Sequence, residues 1–182
     1  MTKFTVPTRK EVSPENQALL DNIQKSIGRM PNLYAAFAHH PTALADYLAL
    51  QSRATTLSPQ EVEVINLIVS QVNACDYCVA GHTYLGKMVG FTEEQLMDIR
   101  RGHAPFDAKL DALVRFAKAV TIYRGRPGAE THKNFYAAGY THANLIDVMM
   151  LIGDKIISNY LQSTTKFPLD WPPVPQLENV AV

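Results

Sequence analysis

Two cysteines, Cys75 and Cys78, stand three positions apart near the middle of the chain, and the 182 residues contain no others. A Cys-x-x-Cys pair that opens a helix lies in the partial positive charge of the helix N-terminus, which favours the thiolate form. A domain of this length can bury a large core without covalent staples, so the pair is not needed as a structural disulfide framework. The spacing therefore predicts thiol redox chemistry.

A histidine and a glutamate stand at distances that would bring them to this pair. His82 follows Cys78 by four residues, so on a helix the two side chains share a face one turn apart and can exchange a proton. Glu63 lies ten residues before a turn expected near Asn73, and His82 lies nine residues after it. Two antiparallel helices would place them at similar height, where the carboxylate orients the imidazole.

The chemistry predicted for this cluster is reduction of a peroxide. Cys78 attacks a peroxide oxygen as a thiolate, and His82 with Glu63 protonates the departing oxygen. The resulting sulfenic acid condenses with Cys75, the resolving thiol. Because Cys75 is nearer the helix start, we expect it to be the more exposed sulfur, at which a reductant opens the disulfide. Tyr84, and the tyrosine between the cysteines, are candidates for the pocket lining.

Other uses of the cysteine pair fit the sequence less well. Zinc needs a fourth ligand that no second paired motif supplies, and His103 would have to reach in from elsewhere. Covalent haem attachment needs a histidine directly after Cys78, where Val79 stands. A thioredoxin-like fold needs a β-α-β pattern, which is not found. We therefore expect no metal and no organic cofactor; the structural alternative is two inert buried cysteines and a solvated Glu63.

Helical patterns dominate the chain, and no comparable run alternates as a strand would. Ser58-Pro-Gln-Glu61 is a capping box with proline at the first helical position. The predicted helices cover about 16–27, 41–53, 59–73, 75–89, 107–123 and 129–138, with others starting near Thr92 and Thr141. The termini, about 1–13 and 167–182, are expected to be extended, with Trp171 anchoring the second. We predict one all-α domain over residues 1–182.

A weak internal repeat has a spacing of 49 residues, because Gly90-Phe-Thr is matched by Gly139-Tyr-Thr. The helices before these segments also match. The chemistry is not duplicated, since Ala112 falls on Glu63 and none of the reactive residues is kept. The pattern predicts two related helical repeats, with a specialised site in the first repeat.

Charge and hydropathy exclude several classes of partner. Lysine plus arginine equals aspartate plus glutamate at 17 each, and no basic cluster could follow a phosphate backbone, so we expect no nucleic acid. The most apolar run, residues 145–157, is interrupted by Asp147, Gly153 and Asp154, and the first residues lack a signal-peptide pattern. We expect a cytoplasmic protein that does not bind a membrane.

The order of reactive residues resembles a known family. A glutamate, eleven residues, Cys-x-x-Cys, three residues and a histidine is the pattern of the alkylhydroperoxidase D (AhpD) proteins in the carboxymuconolactone decarboxylase superfamily. Over about residues 28–170, further segments are similar to its peroxidase-related branch: Met30-Pro-Asn-Leu-Tyr, His40-Pro, Leu57-Ser-Pro-Gln-Glu and Ile157-Ser-Asn-Tyr.

The resemblance implies an all-α fold that assembles into trimers or hexamers, and antioxidant reduction of hydrogen peroxide or organic hydroperoxides. It implies that Cys78 is peroxidatic and Cys75 resolving, that His82 and Glu63 relay protons, and that a dithiol or lipoyl-type protein is the reductant. One departure is Tyr77, since the best-known members carry a histidine between the cysteines.

Two other functions stay open at the level of sequence. The wider superfamily includes carboxymuconolactone decarboxylase, a lyase whose chemistry does not depend on paired cysteines. The disulfide could also serve a redox sensor that changes packing without turning over a substrate.

Overall fold

The computed structural model describes residues 4–177, and within this range the chain forms helices and no strand. The all-α prediction is confirmed. A short 3-10 helix (Arg9–Glu11) precedes nine α-helices: α1 (Pro14–Ile27), α2 (Asn32–Phe37), α3 (Ala43–Gln51), α4 (Pro59–Val72), α5 (Asp76–Met88), α6 (Glu93–Arg101), α7 (Ala108–Ile122), α8 (Ala129–Ala137) and α9 (His142–Thr165).

The described residues fall into two compact units. The first unit contains residues up to 54 together with 161–171, and the second contains residues 55–160 and those from 172 onward. All four predicted site residues lie in the second unit. That the whole of 1–182 is one domain stays a prediction.

The first unit has a small apolar core and one buried amide. Its core side chains are Val12, Leu20, Ile23, Ala38 and Leu44. Asn16 is 1% exposed, and its Nδ2 donates to the carbonyl oxygens of Ala38 and His40, each 3.1 Å away. These bonds satisfy two backbone acceptors in the segment between α2 and α3.

Helix α3 is shorter than the predicted helix over 41–53, and α2 was not predicted. The Nδ1 atom of His40 accepts hydrogen bonds from the backbone N–H groups of Thr42 and Ala43, each 3.2 Å away. A side-chain acceptor at this position satisfies donors that a helix leaves unpaired at its start. The histidine therefore caps the start of α3, which begins at Ala43 and not at position 41.

The two terminal segments differ from each other. The N-terminal segment was expected to be extended, but Arg9–Glu11 forms a 3-10 helix whose first turn is closed by a capping box between Thr8 and Glu11. Described residues from 167 onward have no regular secondary structure. Trp171 is buried there with the Arg29 guanidinium 4.6 Å from its ring centroid, which confirms that this tryptophan anchors the tail; residues 178–182 lie outside the described range.

The second unit is built around α4, which packs against α5, α6 and α7. Five of its apolar side chains are fully buried: Val64, Ile65, Leu67, Ile68 and Val69. The predicted repeat is visible in the helix starts, because α4 and α7 begin 49 residues apart, and so do α6 and α9. Gly90 and Gly139 each have a positive φ, 100° and 92°, a conformation that favours glycine before the next helix begins.

Glu61 connects the start of α4 to later parts of this unit. Its carboxylate accepts the backbone N–H of Ser58 at 2.8 Å and lies 3.0 Å from Lys109 Nζ. Burial alone would raise the pKa of Glu61, but hydrogen bonds from Ser58, Lys109 and Tyr140 outweigh it and hold this pKa below its usual range. The carboxylate is therefore more stable in the folded chain than in the unfolded chain.

We expect Glu61→Gln to lower the free energy of unfolding by about 1–2 kcal/mol near neutral pH, because a charged acceptor of a helix cap is lost. Since folding lowers the pKa of Glu61, its stabilisation is full above the unfolded value of about 4.3 and is lost as the pH falls through the folded value. Urea unfolding of both proteins at neutral and at acid pH measures the difference. A difference that does not shrink in acid would contradict this account, and Glu94→Gln, at an exposed position of α6, is the matched control.

Candidate active site

The turn between α4 and α5 sets the position of the cysteines. Ala74 has a positive φ of 51°, which reverses the chain so that the N–H of Cys75 reaches the carbonyl oxygen of Ser70 at 3.0 Å. Asn159, fully buried on α9, accepts from Asn73 Nδ2 at 2.9 Å and donates to Ser70 Oγ at 3.3 Å. This amide ties both sides of the turn together.

The structure joins Cys75 and Cys78 in a disulfide with their Cα atoms 5.3 Å apart. Cys75 is the N-cap of α5, and its Sγ accepts the backbone N–H of Cys78 at 3.3 Å. Because the helix dipole and this hydrogen bond both favour negative charge, they would stabilise a thiolate on Cys75 once the disulfide opens.

The expectation that Cys75 is the more exposed sulfur is wrong. Cys75 is 0% exposed and Cys78 is 5% exposed. An N-cap side chain folds back over the first turn of its own helix to reach the backbone N–H groups there. Position near a helix start therefore buries this thiol instead of presenting it to solvent.

Glu63 and His82 lie side by side between α4 and α5. The Glu63 Oε2 atom is 2.9 Å from His82 Nδ1, and the two side chains are 12% and 13% exposed. Asn66, three residues along α4, donates its Nδ2 to Glu63 Oε1 at 3.2 Å. The predicted pairing is present, and the alternative of a solvated Glu63 does not hold. Their catalytic roles stay predictions.

A lysine that the sequence analysis did not select completes the cluster. Lys155 on α9 is 3% exposed, and its Nζ lies 3.2 Å from His82 Nε2 and 3.4 Å from Asp154 Oδ2. A sequence signal was available, because oppositely charged neighbours inside an apolar run indicate a buried pair. Carboxylate, imidazole and amine thus form a chain of contacts that can pass a proton.

The remaining sequence candidates have different surroundings. Tyr77 is buried, whereas Tyr84 is 41% exposed, so only Tyr77 lies inside the fold. No group of three or more His, Cys, Asp or Glu side chains among residues 4–177 is arranged to hold a metal ion. In the same range, no helix combines the length and apolar character needed to cross a membrane.

Residues 31–119 match the carboxymuconolactone decarboxylase family, and this range contains Glu63, Cys75, Cys78 and His82. The matched segment belongs to that family. The resemblance seen in the sequence is thereby confirmed. No curated protein sequence shows significant similarity to the chain.

Solved structures share the fold of this chain. An uncharacterized peroxidase-related protein from Silicibacter sp. TM1040 aligns with a TM-score of 0.80 at 22% identity, covering 95% of this chain and 92% of that one. A peroxidase-related protein from Ralstonia eutropha JMP134, described as an alkylhydroperoxidase AhpD core, aligns with a TM-score of 0.80 at 18% identity, covering 94% and 92%. The debrominase Bmp8, in complex with 2,3,4-tribromopyrrole, aligns with a TM-score of 0.78 at 12% identity, covering 93% of both chains.

The Glu63–His82 hydrogen bond should appear as a coupling free energy in a double-mutant cycle. We expect Glu63→Gln, His82→Gln and the double variant to give about 1–2 kcal/mol of coupling, because the bond is largely shielded from water and involves a charged acceptor. Urea unfolding of the oxidised proteins near neutral pH measures it. The matched control is the exposed pair Lys87 and Glu93, for which coupling should stay below about 0.5 kcal/mol. Equal coupling in both cycles would contradict a shielded pair.

Proposed function

We propose that this protein is a thiol-dependent peroxidase that reduces hydrogen peroxide or organic hydroperoxides through Cys78 and Cys75. The observation that carries the proposal is a disulfide at the N-terminus of α5 with the Glu63–His82 pair one helical turn beyond it. The cysteines supply both electrons, so the reaction needs no metal and no organic cofactor.

In the first step, the thiolate of Cys78 attacks the terminal oxygen of the hydroperoxide. A sulfur–oxygen bond forms, the oxygen–oxygen bond breaks, and the departing alkoxide takes a proton that reaches it through His82. Glu63 keeps the imidazole oriented for this transfer. The products are an alcohol, or water from hydrogen peroxide, and a sulfenic acid on Cys78.

In the second step, Cys75 attacks the sulfenic sulfur of Cys78. The sulfur–sulfur bond forms, the sulfur–oxygen bond breaks, and hydroxide leaves with a proton as water. The N-cap hydrogen bond from the Cys78 N–H supports this role, because it favours a thiolate on the resolving sulfur.

A dithiol or lipoyl-type protein would return the site to its reduced state. Its first thiolate attacks the slightly exposed Cys78 and releases the thiolate of Cys75, the leaving group that the helix N-terminus stabilises. Its second thiol then attacks the mixed disulfide and releases Cys78, so the reductant leaves as a disulfide. Reduction at Cys78 replaces the expectation of reduction at Cys75, because that expectation assumed that Cys75 is the more exposed sulfur. Because the disulfide must be reduced in every turnover, we place the protein in a reducing compartment, the cytoplasm.

The first test is mass spectrometry of the reduced protein after brief exposure to one equivalent of cumene hydroperoxide, with a sulfenic acid trap present. We expect rapid disulfide formation in the wild type, a trapped sulfenic acid in Cys75→Ser and none in Cys78→Ser, because only Cys78 shares a face with His82. Trapping in Cys78→Ser instead would reverse the assigned roles. Absence of any reaction within minutes would contradict the peroxidase proposal.

The same proteins separate the alternative functions. A lyase of the carboxymuconolactone decarboxylase type should keep its activity when Cys75 and Cys78 are both changed to serine. A redox sensor should change its assembly state on oxidation, while its peroxide consumption stays at one equivalent per disulfide. Continued peroxide consumption with dithiothreitol, lost in Cys78→Ser, would support the peroxidase.

We also propose that the chain forms a homo-oligomer, a trimer or hexamer, through a second copy of itself. An exposed apolar stripe on α9 supports this, with Ile146 at 60%, Ile157 at 46% and Tyr160 at 58% exposure. The spacings of 11 and 3 residues keep these side chains on one face of the helix. A row of exposed apolar side chains of this kind is typical of an interface.

If the stripe is the interface, Ile157→Glu should lower the mass measured by light scattering at micromolar concentration, because a charge would be buried against the second copy. Met88→Glu is the matched control, since Met88 is 70% exposed on α5 and lies off the stripe. A monomeric wild type, or equal effects of the two variants, would count against this face.

A further inference from the structure

The proposed peroxide chemistry leaves one buried charged group of the site unused. Lys155 is 3% exposed and contacts the nitrogen of His82 that faces away from Glu63. A long, flexible amine is rarely held in the interior unless its ammonium group is paired. Here the carboxylate of Asp154, 3.4 Å from Nζ, supplies the opposite charge.

Donor and acceptor rules fix the state of the imidazole between these groups. An ionised carboxylate only accepts, so Nδ1 of His82 must carry the proton in its 2.9 Å contact with Glu63. An ammonium group only donates, so Nε2 must offer its lone pair in the 3.2 Å contact with Lys155. Between an ionised carboxylate and an ammonium group, a neutral ring with its proton on Nδ1 satisfies both contacts, because a doubly protonated ring would place two cations in contact and the other neutral tautomer would set donor against donor at Nε2.

We propose that Lys155 is a positioning residue in the oxidised protein, in which the disulfide is intact. It holds His82 neutral, with Nε2 as the hydrogen-bond acceptor. Lys155 thereby occupies the nitrogen that has to exchange protons with sulfur and substrate. This inference about the resting state depends on the contacts alone; its consequence for turnover rests on the proposed peroxidase function.

The consequence for turnover is that the proton is stored on the amine instead of on the imidazole. In the reduced site, Cys78 is released by the reductant as a thiolate, and Lys155 is already an ammonium group. After the thiolate has attacked the peroxide, this ammonium group gives one proton through Nε2 of His82 to the departing alkoxide and becomes a neutral amine. The amine then regains a proton from solvent, where the protons of the reductant's thiols are released, so the ammonium group is restored for the next turnover.

Nitrogen NMR of histidine-labelled, oxidised protein at slightly alkaline pH tests the resting state. We expect His82 in the wild type to carry its proton on Nδ1 and to have an unprotonated Nε2. In Lys155→Met, which keeps the length but removes the charge, we expect a larger fraction of rings with a proton on Nε2. Lys155→Arg should keep the wild-type pattern, and Lys133→Met, on the exposed face of α8, is the matched control.

Two results would overturn the inference. One is a proton on Nε2 of His82 in the wild type, because an N–H group and an ammonium group are both donors and cannot hydrogen-bond to each other. The other is an unchanged His82 signal in Lys155→Met. If Lys155→Met does not fold, the wild-type tautomer and the Lys155→Arg protein still decide, because the inference requires an unprotonated Nε2 in both.

The rate of peroxide consumption tests proton storage separately. Arginine keeps the charge and the hydrogen bond but does not release a proton, so Lys155→Arg should reduce the rate about a hundredfold. A wild-type rate in Lys155→Arg would overturn proton storage. If the wild type itself consumes no peroxide while the NMR results are as expected, the peroxidase proposal fails and the role of Lys155 in setting the His82 tautomer is supported.

Discussion

The contact between Glu63 and His82 is the interaction on which the rest of the site depends. Both side chains are mostly withdrawn from water between two packed helices, so each needs a partner of matching character. A carboxylate against Nδ1 decides that the ring presents Nε2 to the other side. Everything that acts through His82, on sulfur or on a substrate, then has to use that one nitrogen.

This constraint explains why the polar side chains around the Glu63–His82 pair form a connected series in space, from α4 to α9. Asn66 holds the second oxygen of Glu63, and Lys155 takes the free nitrogen of His82. Asn159 fixes the turn that carries Cys75. Each of these buried groups stabilises the fold by meeting the hydrogen-bonding needs of its neighbour, so the geometry of the site and the stability of the second unit have the same origin.

Local spacing in the sequence was enough to predict the part of the site that lies on α4 and α5. Glu63 and His82 are 19 residues apart and are joined by one short turn, so helical geometry alone brings them together. Lys155 could not be placed in this way, because 73 residues separate it from His82 and its position depends on how α9 packs. The burial of Cys75 was also misjudged, since it follows from an N-cap conformation that spacing does not reveal.

The internal repeat shows how a duplicated scaffold can support one site. Helices α6 and α9 begin at equivalent positions, but α6 ends at Arg101, whereas α9 continues to Thr165. A shift of 49 residues places the end of α6 at position 150 of α9. Asp154, Lys155 and Asn159 therefore all lie on the part of α9 that has no counterpart in α6. The second copy of the repeat lacks the reactive groups of the first copy. Its longer last helix, α9, nevertheless supplies side chains that hold the reactive groups of the first copy in place.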